Sequence, residues 1–157
     1  MLRTVIRALL PLAIGTLAAW GADNSIGTWK VNIAKSNYAP GSMPLKSYTT
    51  VREAVPGGVK VSLGGERVDG VPIKATYTAK FDGTAAAVAG SGTPYDSISI
   101  KQVDANTFTY EIKQSSNKYR ATGRTVVSSD GKTMTTTAKG TDADGNPMGL
   151  TLVFEKQ

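Results

Sequence analysis

The chain has 157 residues, with 18 Lys and Arg against 12 Asp and Glu, no histidine and no cysteine. Without histidine there is no Ser-His-Asp or Cys-His catalysis, no histidine-zinc site and no haem ligation through histidine; without cysteine there are no disulfides and no thiol chemistry, so stability must come from packing. The formal net charge of +6 is modest. Its bases alternate with threonines along stretches such as Lys74 to Lys80 and Lys132 to Lys139, which describes a solvated face and argues against nucleic acid as a partner.

The first elements in chain order are a basic opening, Met1 to Arg7, and an uncharged apolar run, Ala8 to Trp20. This pattern predicts a signal peptide over residues 1–21, cleaved near Gly21–Ala22, and hence an exported protein, periplasmic or secreted. The run is too short for a stable transmembrane helix, and no other stretch predicts a transmembrane segment. Losing Arg3 and Arg7 leaves 16 bases against 12 acids, a mature charge of +4. Residues 22–157 are then one ordinary domain, long enough to bury roughly two-thirds of the surface of the unfolded chain.

Within that domain the hydrophobic period is two throughout, which predicts an all-β class. The strand-like runs are Ile26–Ile33, Leu45–Val55, Gly58–Leu63, Pro72–Phe81, Thr84–Ala89, Asp96–Val103, Thr107–Gln114, Lys118–Ser128, Lys132–Lys139 and Met148–Lys156. Most connections carry hairpin chemistry, including Pro56-Gly57, Asp69-Gly70, Asp82-Gly83, Ser116-Asn117, Asp130-Gly131 and Asp144-Gly145. Strands paired in sequence order leave two edges, and closing the sheet removes them. The expectation is therefore a single antiparallel up-and-down barrel of 8–10 strands; a two-sheet sandwich is the alternative, since alternation does not reveal closure. The long connection Ala34–Pro44, with two prolines, is expected to lie across one mouth.

The two ends of the chain carry a resemblance. Gly27-Thr28-Trp29-Lys30 resembles the G-x-W opening of lipocalins and the G-T-W-K opening of fatty-acid-binding proteins. Asp130-Gly131-Lys132, Lys139-Gly140 and Val153-Phe154-Glu155-Lys156 are similar to the ending of the latter. The longer opening, with Ala34-Lys35-Ser36 and Pro40-Gly41, is similar to bacterial exported lipocalin-like proteins of uncharacterised function. This calycin resemblance implies a barrel with an internal ligand cavity and a structural role for Trp29 at the closed end. It also marks two departures. Ala34–Pro44 is too short and proline-broken for the helical lid of fatty-acid-binding proteins, and Leu152 and Phe154 stand where those proteins carry an Arg and a Tyr that hold a fatty carboxylate.

The candidate ligand-binding residues are Tyr77, Phe81, Phe108, Tyr110, Ile112 and Phe154, with Arg120 and Arg124 as a substitute carboxylate grip if their face of the strand points inward. The apolar pattern instead places Tyr119, Ala121 and Gly123 inside and both arginines in water, because a one-residue slip would solvate the aromatic set. No catalytic residue, metal site or cofactor is expected. Asp142-Ala143-Asp144-Gly145-Asn146 lacks the end glutamate of a calcium loop, and Gly90-Ser91-Gly92 lacks the Lys of a phosphate loop. The reading is of a non-enzymatic protein that binds a hydrophobic or amphipathic small molecule. The alternative is an envelope structural or protein-interaction module with a solid barrel core.

Overall fold

The computed structural model describes residues 22–157; the predicted signal segment 1–21 lies outside them. Twelve strands form one antiparallel sheet curled into a nearly closed barrel. They are β1 (Gly27–Val31), β2 (Asn37–Ala39), β3 (Leu45–Val55), β4 (Gly58–Arg67), β5 (Pro72–Lys80), β6 (Ala86–Ala87), β7 (Ala89–Ser91), β8 (Ser97–Asp104), β9 (Thr107–Lys113), β10 (Arg120–Val127), β11 (Thr133–Thr141) and β12 (Pro147–Lys156). One 3-10 turn, Ile33–Lys35, is the only helical element among the described residues. The expected all-β barrel without a helical lid is what the chain forms, and the sandwich is set aside.

Hairpins fall where the turn residues stood. At Asp69-Gly70 the Asp69 carboxylate accepts from the Val71 N–H at 3.2 Å and Gly70 takes a left-handed φ of 85°, a conformation that costs glycine nothing. Backbone donors hold the turn carboxyls of Asp82, Asp104 and Asp142 below the usual carboxylate range, from Thr84, Asn106 and Asn146 respectively.

Two staves of the barrel are broken, and both refine the expected strands. The first is β1 and β2, which pair in succession along the same strand: Trp29 to Val31 on Lys156 to Phe154, then Asn37 to Ala39 on Thr151 to Gly149. The connection expected over Ala34–Pro44 is thus partly strand. The second is β6 and β7. Ala86 and Ala87 pair with Ile98 and Ser97 of β8, whereas Ala89 to Ser91 pair with Thr76 to Lys74 of β5. At the closed end β5 and β8 meet directly, through the Asp82–Lys101 bridge and the Gly83 N–H donating to the Ile100 carbonyl at 2.9 Å.

Alternation then fills the interior. On β5, Ile73, Ala75, Tyr77 and Ala79 are buried and the residues between them are exposed; they join Val59, Val61, Phe108 and Ile112 in one cluster, while Trp29, Val31, Val127, Met134, Leu152 and Phe154 form a second. Trp29 is fully buried, donates from its indole N–H to the Ser25 carbonyl at 2.8 Å and lies under the Lys156 ammonium at 5.3 Å. Residues before β1 fold across the closed end, where the Asn24 N–H donates to the Ala105 carbonyl at 2.9 Å. Because Trp29 joins the second cluster to this plug, Trp29→Ala is expected to cost about 3–5 kcal/mol, the usual loss for a large buried aromatic. Denaturant unfolding measures it; a change under about 1 kcal/mol contradicts a core role for this residue.

Candidate functional site

The barrel is not packed solid. A cavity of about 260 Å³ lies inside it, bounded by inward residues of β3–β5 and β8–β12 and covered at the open end by Tyr38, Pro44 and the Gly92–Tyr95 segment. All six tyrosines of the chain line it: Tyr38, Tyr48, Tyr77, Tyr95, Tyr110 and Tyr119. Leu63, Ile73, Ile98, Ile112, Leu150 and Phe154 supply apolar wall between them. A second, open depression crosses the outer face of the sheet between Ser99 and Thr151, with Thr109, Thr122, Lys101 and Arg124 among its lining residues. Its shallowness suits it less to enclosing a small ligand.

Most of the sequence-predicted residues meet in the cavity. Tyr77, Phe108, Tyr110, Ile112 and Phe154 all line it. Phe81 does not; its ring stands behind Phe108 with centroids 5.3 Å apart, and it belongs to the packing of the closed end. Arg120 and Arg124 are exposed on the outer face, because Ala121, Gly123, Thr125 and Val127 take the inward positions of β10. They cannot grip a ligand in the cavity, and the inward face of β10 is the one the apolar pattern indicates. The Tyr110 ring lies over Gly123, where a Cβ would come within 2.4 Å of it, and its hydroxyl donates to the Thr137 carbonyl at 3.2 Å. Glycine at 123 therefore makes the space for this aromatic wall.

Three groups at the closed end were not read from the sequence. Arg52 on β3 is 8% exposed and lines the cavity floor, its Nε donating to the Ser25 hydroxyl at 2.9 Å and its guanidinium carbon 5.9 Å from the Phe108 ring centre. Beside it Thr50 is buried, and its hydroxyl has no partner among the described residues. The Thr125 and Thr136 hydroxyls also line the cavity and bond to each other at 2.8 Å. The signal that places Arg52 inside is the two-residue Pro56-Gly57 turn, which sets Arg52 opposite Val61 and Thr50 opposite Leu63.

Five of the phenols lining the cavity are held neutral. Burial raises the pKa of Tyr48, Tyr77, Tyr95 and Tyr110, and neighbouring tyrosines add to the rise for all but Tyr77, where the Arg52 guanidinium opposes it. Burial, with Tyr38 adding to it, pushes Tyr119 up to about 12. The walls can therefore donate hydrogen bonds and stack, but supply no general base near neutrality.

Comparison with known proteins supports the architecture. A solved structure described as EF1p2_mFAP2b bound to DFHBI matches this chain with a TM-score of 0.50 and 16% sequence identity, covering 85% of this chain and 94% of that one. At that identity the likeness is one of fold. No family profile and no curated protein matches the chain. Fold and site together define a small antiparallel barrel enclosing a tyrosine-lined cavity.

Two measurements check this site. Tyr110→Asp puts a carboxylate into the apolar wall and is expected to cost several kcal/mol or unfold the protein, whereas Arg124→Glu on the outer face stays within about 0.5 kcal/mol; comparable denaturant midpoints for the two variants contradict the inward face. Alkali supplies the second. A phenol that is neutral when folded and free to ionise when unfolded gives stability that is complete below the ordinary tyrosine value of about 10 and lost as the pH rises towards the folded values. Phenolate absorbance of the five raised tyrosines is thus expected to appear together with loss of the β-type circular dichroism signal, above pH ~10. Full ionisation near that pH in a still-folded protein contradicts the buried phenols.

Proposed function

We propose that this chain is an exported protein that binds a small apolar or amphipathic molecule within its barrel and catalyses no reaction. The observation that carries this reading is the interior cavity, bounded by aromatic and aliphatic walls with a few polar groups at one end, as small-ligand sites are built. The similar barrel is described as bound to DFHBI, which agrees with a fold able to hold a ligand. No carboxylate lines the cavity, and with neutral phenols that leaves no acid–base pair for catalysis. Export is supported by the signal-like segment of the sequence; among the described residues, the Ala22 carbonyl accepts from Gln102 at 2.9 Å. The chain is thus tied to the fold from the predicted cleavage point onward.

The experiment is binding of an environment-sensitive apolar dye to the mature protein, with competition by unlabelled ligands. Saturable, displaceable fluorescence is expected, and Ile73→Trp, which fills the cavity, is expected to abolish it with the fold retained. Dye binding that survives Ile73→Trp places the ligand elsewhere and overturns the reading. The mass of the protein recovered from an exporting cell is expected to begin at Ala22; an intact N-terminus overturns the export proposal.

A further inference from the structure

Two guanidiniums line the cavity: Arg67, which pairs with Asp69 at 3.0 Å, and Arg52, which nothing in the described fold neutralises directly. Arg52 makes no ion pair among the described residues. Its Nε bonds to the Ser25 hydroxyl, which in turn donates to the Asp23 carboxylate at 2.6 Å, so the nearest bonded acid is one hydroxyl removed. This relay holds the guanidinium through its Nε, and the Tyr77 hydroxyl, on the same cavity wall, lies within hydrogen-bonding reach of it. Next to it the Thr50 hydroxyl is buried at 4% exposure without a partner. A buried cation is costly unless it is paired and hydrogen-bonded, and a guanidinium keeps its charge when buried. The two terminal nitrogens match the geometry of a carboxylate, which arginine binds bidentately.

We propose that the ligand is a compact organic acid whose carboxylate sits on Arg52 and Thr50 at the closed end, with its ring-sized apolar body among the tyrosines. This rests on the binding reading above and narrows it. A cavity of about 260 Å³ falls just below the usual range for drug-sized ligands of about 300–1,000 Å³, which sets the body's size. Phenol rings offer faces for stacking and edges for packing a planar group. Leu152 and Phe154, both inward and buried, leave the inward face of the last strand without a charge, so the acid's partner comes from β3 instead.

The test uses two probes of nearly equal shape, 1-naphthoate and its neutral amide, 1-naphthamide, titrated into the mature protein by calorimetry. Losing a hydrogen-bonded contact to a charged group weakens binding about ten- to a hundred-fold, so the acid is expected to bind at least about ten-fold tighter than the amide. Arg52→Met is expected to remove that preference while leaving the amide nearly unchanged, and Thr50→Val, which keeps the shape and removes only the hydroxyl, is expected to weaken the acid alone. The wild-type preference needs no variant to fold. Equal binding of both probes by the wild type, or equal weakening of both in Thr50→Val, overturns the inference and leaves the cavity reading intact. Arg52→Met that loses stability but keeps the preference makes Arg52 a structural anchor of the closed end and overturns the inference too. Binding of neither probe overturns the compact-acid assignment; the cavity reading then stands or falls on the dye experiment.

Discussion

Everything inside this barrel depends on how the sheet closes. β5 and β8 touch at the closed end and diverge above it, and a single strand broken into β6 and β7 fills the gap by pairing first with β8 and then with β5. The switch needs small residues. A Cβ on Gly90 would lie 2.2 Å from the Lys74 carbonyl oxygen, so only glycine admits this approach of one backbone to another. The same crossing carries Gly92 to Tyr95 over the open end, where they line the cavity. A cover is therefore built from the closure of the sheet itself, in place of a helical lid.

Closure fixes which face of every strand points inward, and the interior that results is graded. At the closed end the Ala22–Ser25 segment, Trp29 and Phe108 plug the barrel with a polar relay through Ser25. Towards the open end the walls pass to tyrosines and aliphatic side chains. The relay's geometry gives the plug two tasks at once, since the same Ser25 whose carbonyl accepts from Trp29 also positions Arg52 through its hydroxyl. Stability of the closed end and placement of the charge are coupled through one residue.

Strand number and face were legible because period-two alternation and turn residues are local signals. The ten expected runs correspond to ten staves, and Ala121, Phe108 and Tyr110 point where their hydrophobicity indicated. What was not legible lay in pairing. β2 reads as part of a proline-broken connection, and only its ladder with Gly149 to Thr151 makes it a strand. Phe81 reads as the end of an inward row, yet the chain turns there to bridge β8 and its ring goes to the closed end. Arg52 was hidden by composition: its neighbour Val51 is the apolar residue of the pair but is 36% exposed, while Arg52 is buried. The register across the Pro56-Gly57 turn carried that information, because Val59, Val61 and Leu63 mark the inward face of β4 and dictate the residues opposite them.

Arg52, set among phenols, gives the closed end of the cavity its electrostatic character. Tyrosines whose ionisation is suppressed by burial contribute dipoles and hydrogen-bond donors but no charge, so the field at the closed end comes mainly from Arg52, tempered by Asp23 behind Ser25, while Arg67 elsewhere on the wall is paired with Asp69. In a site shielded from water that field acts at closer to full strength than it would at the surface. A neutral guest would gain only wall contacts and leave the Arg52 guanidinium without a counter-charge in the cavity. An acid gains the same wall contacts and gives the guanidinium a partner, so the arrangement discriminates between guests by charge at one end and by shape at the other.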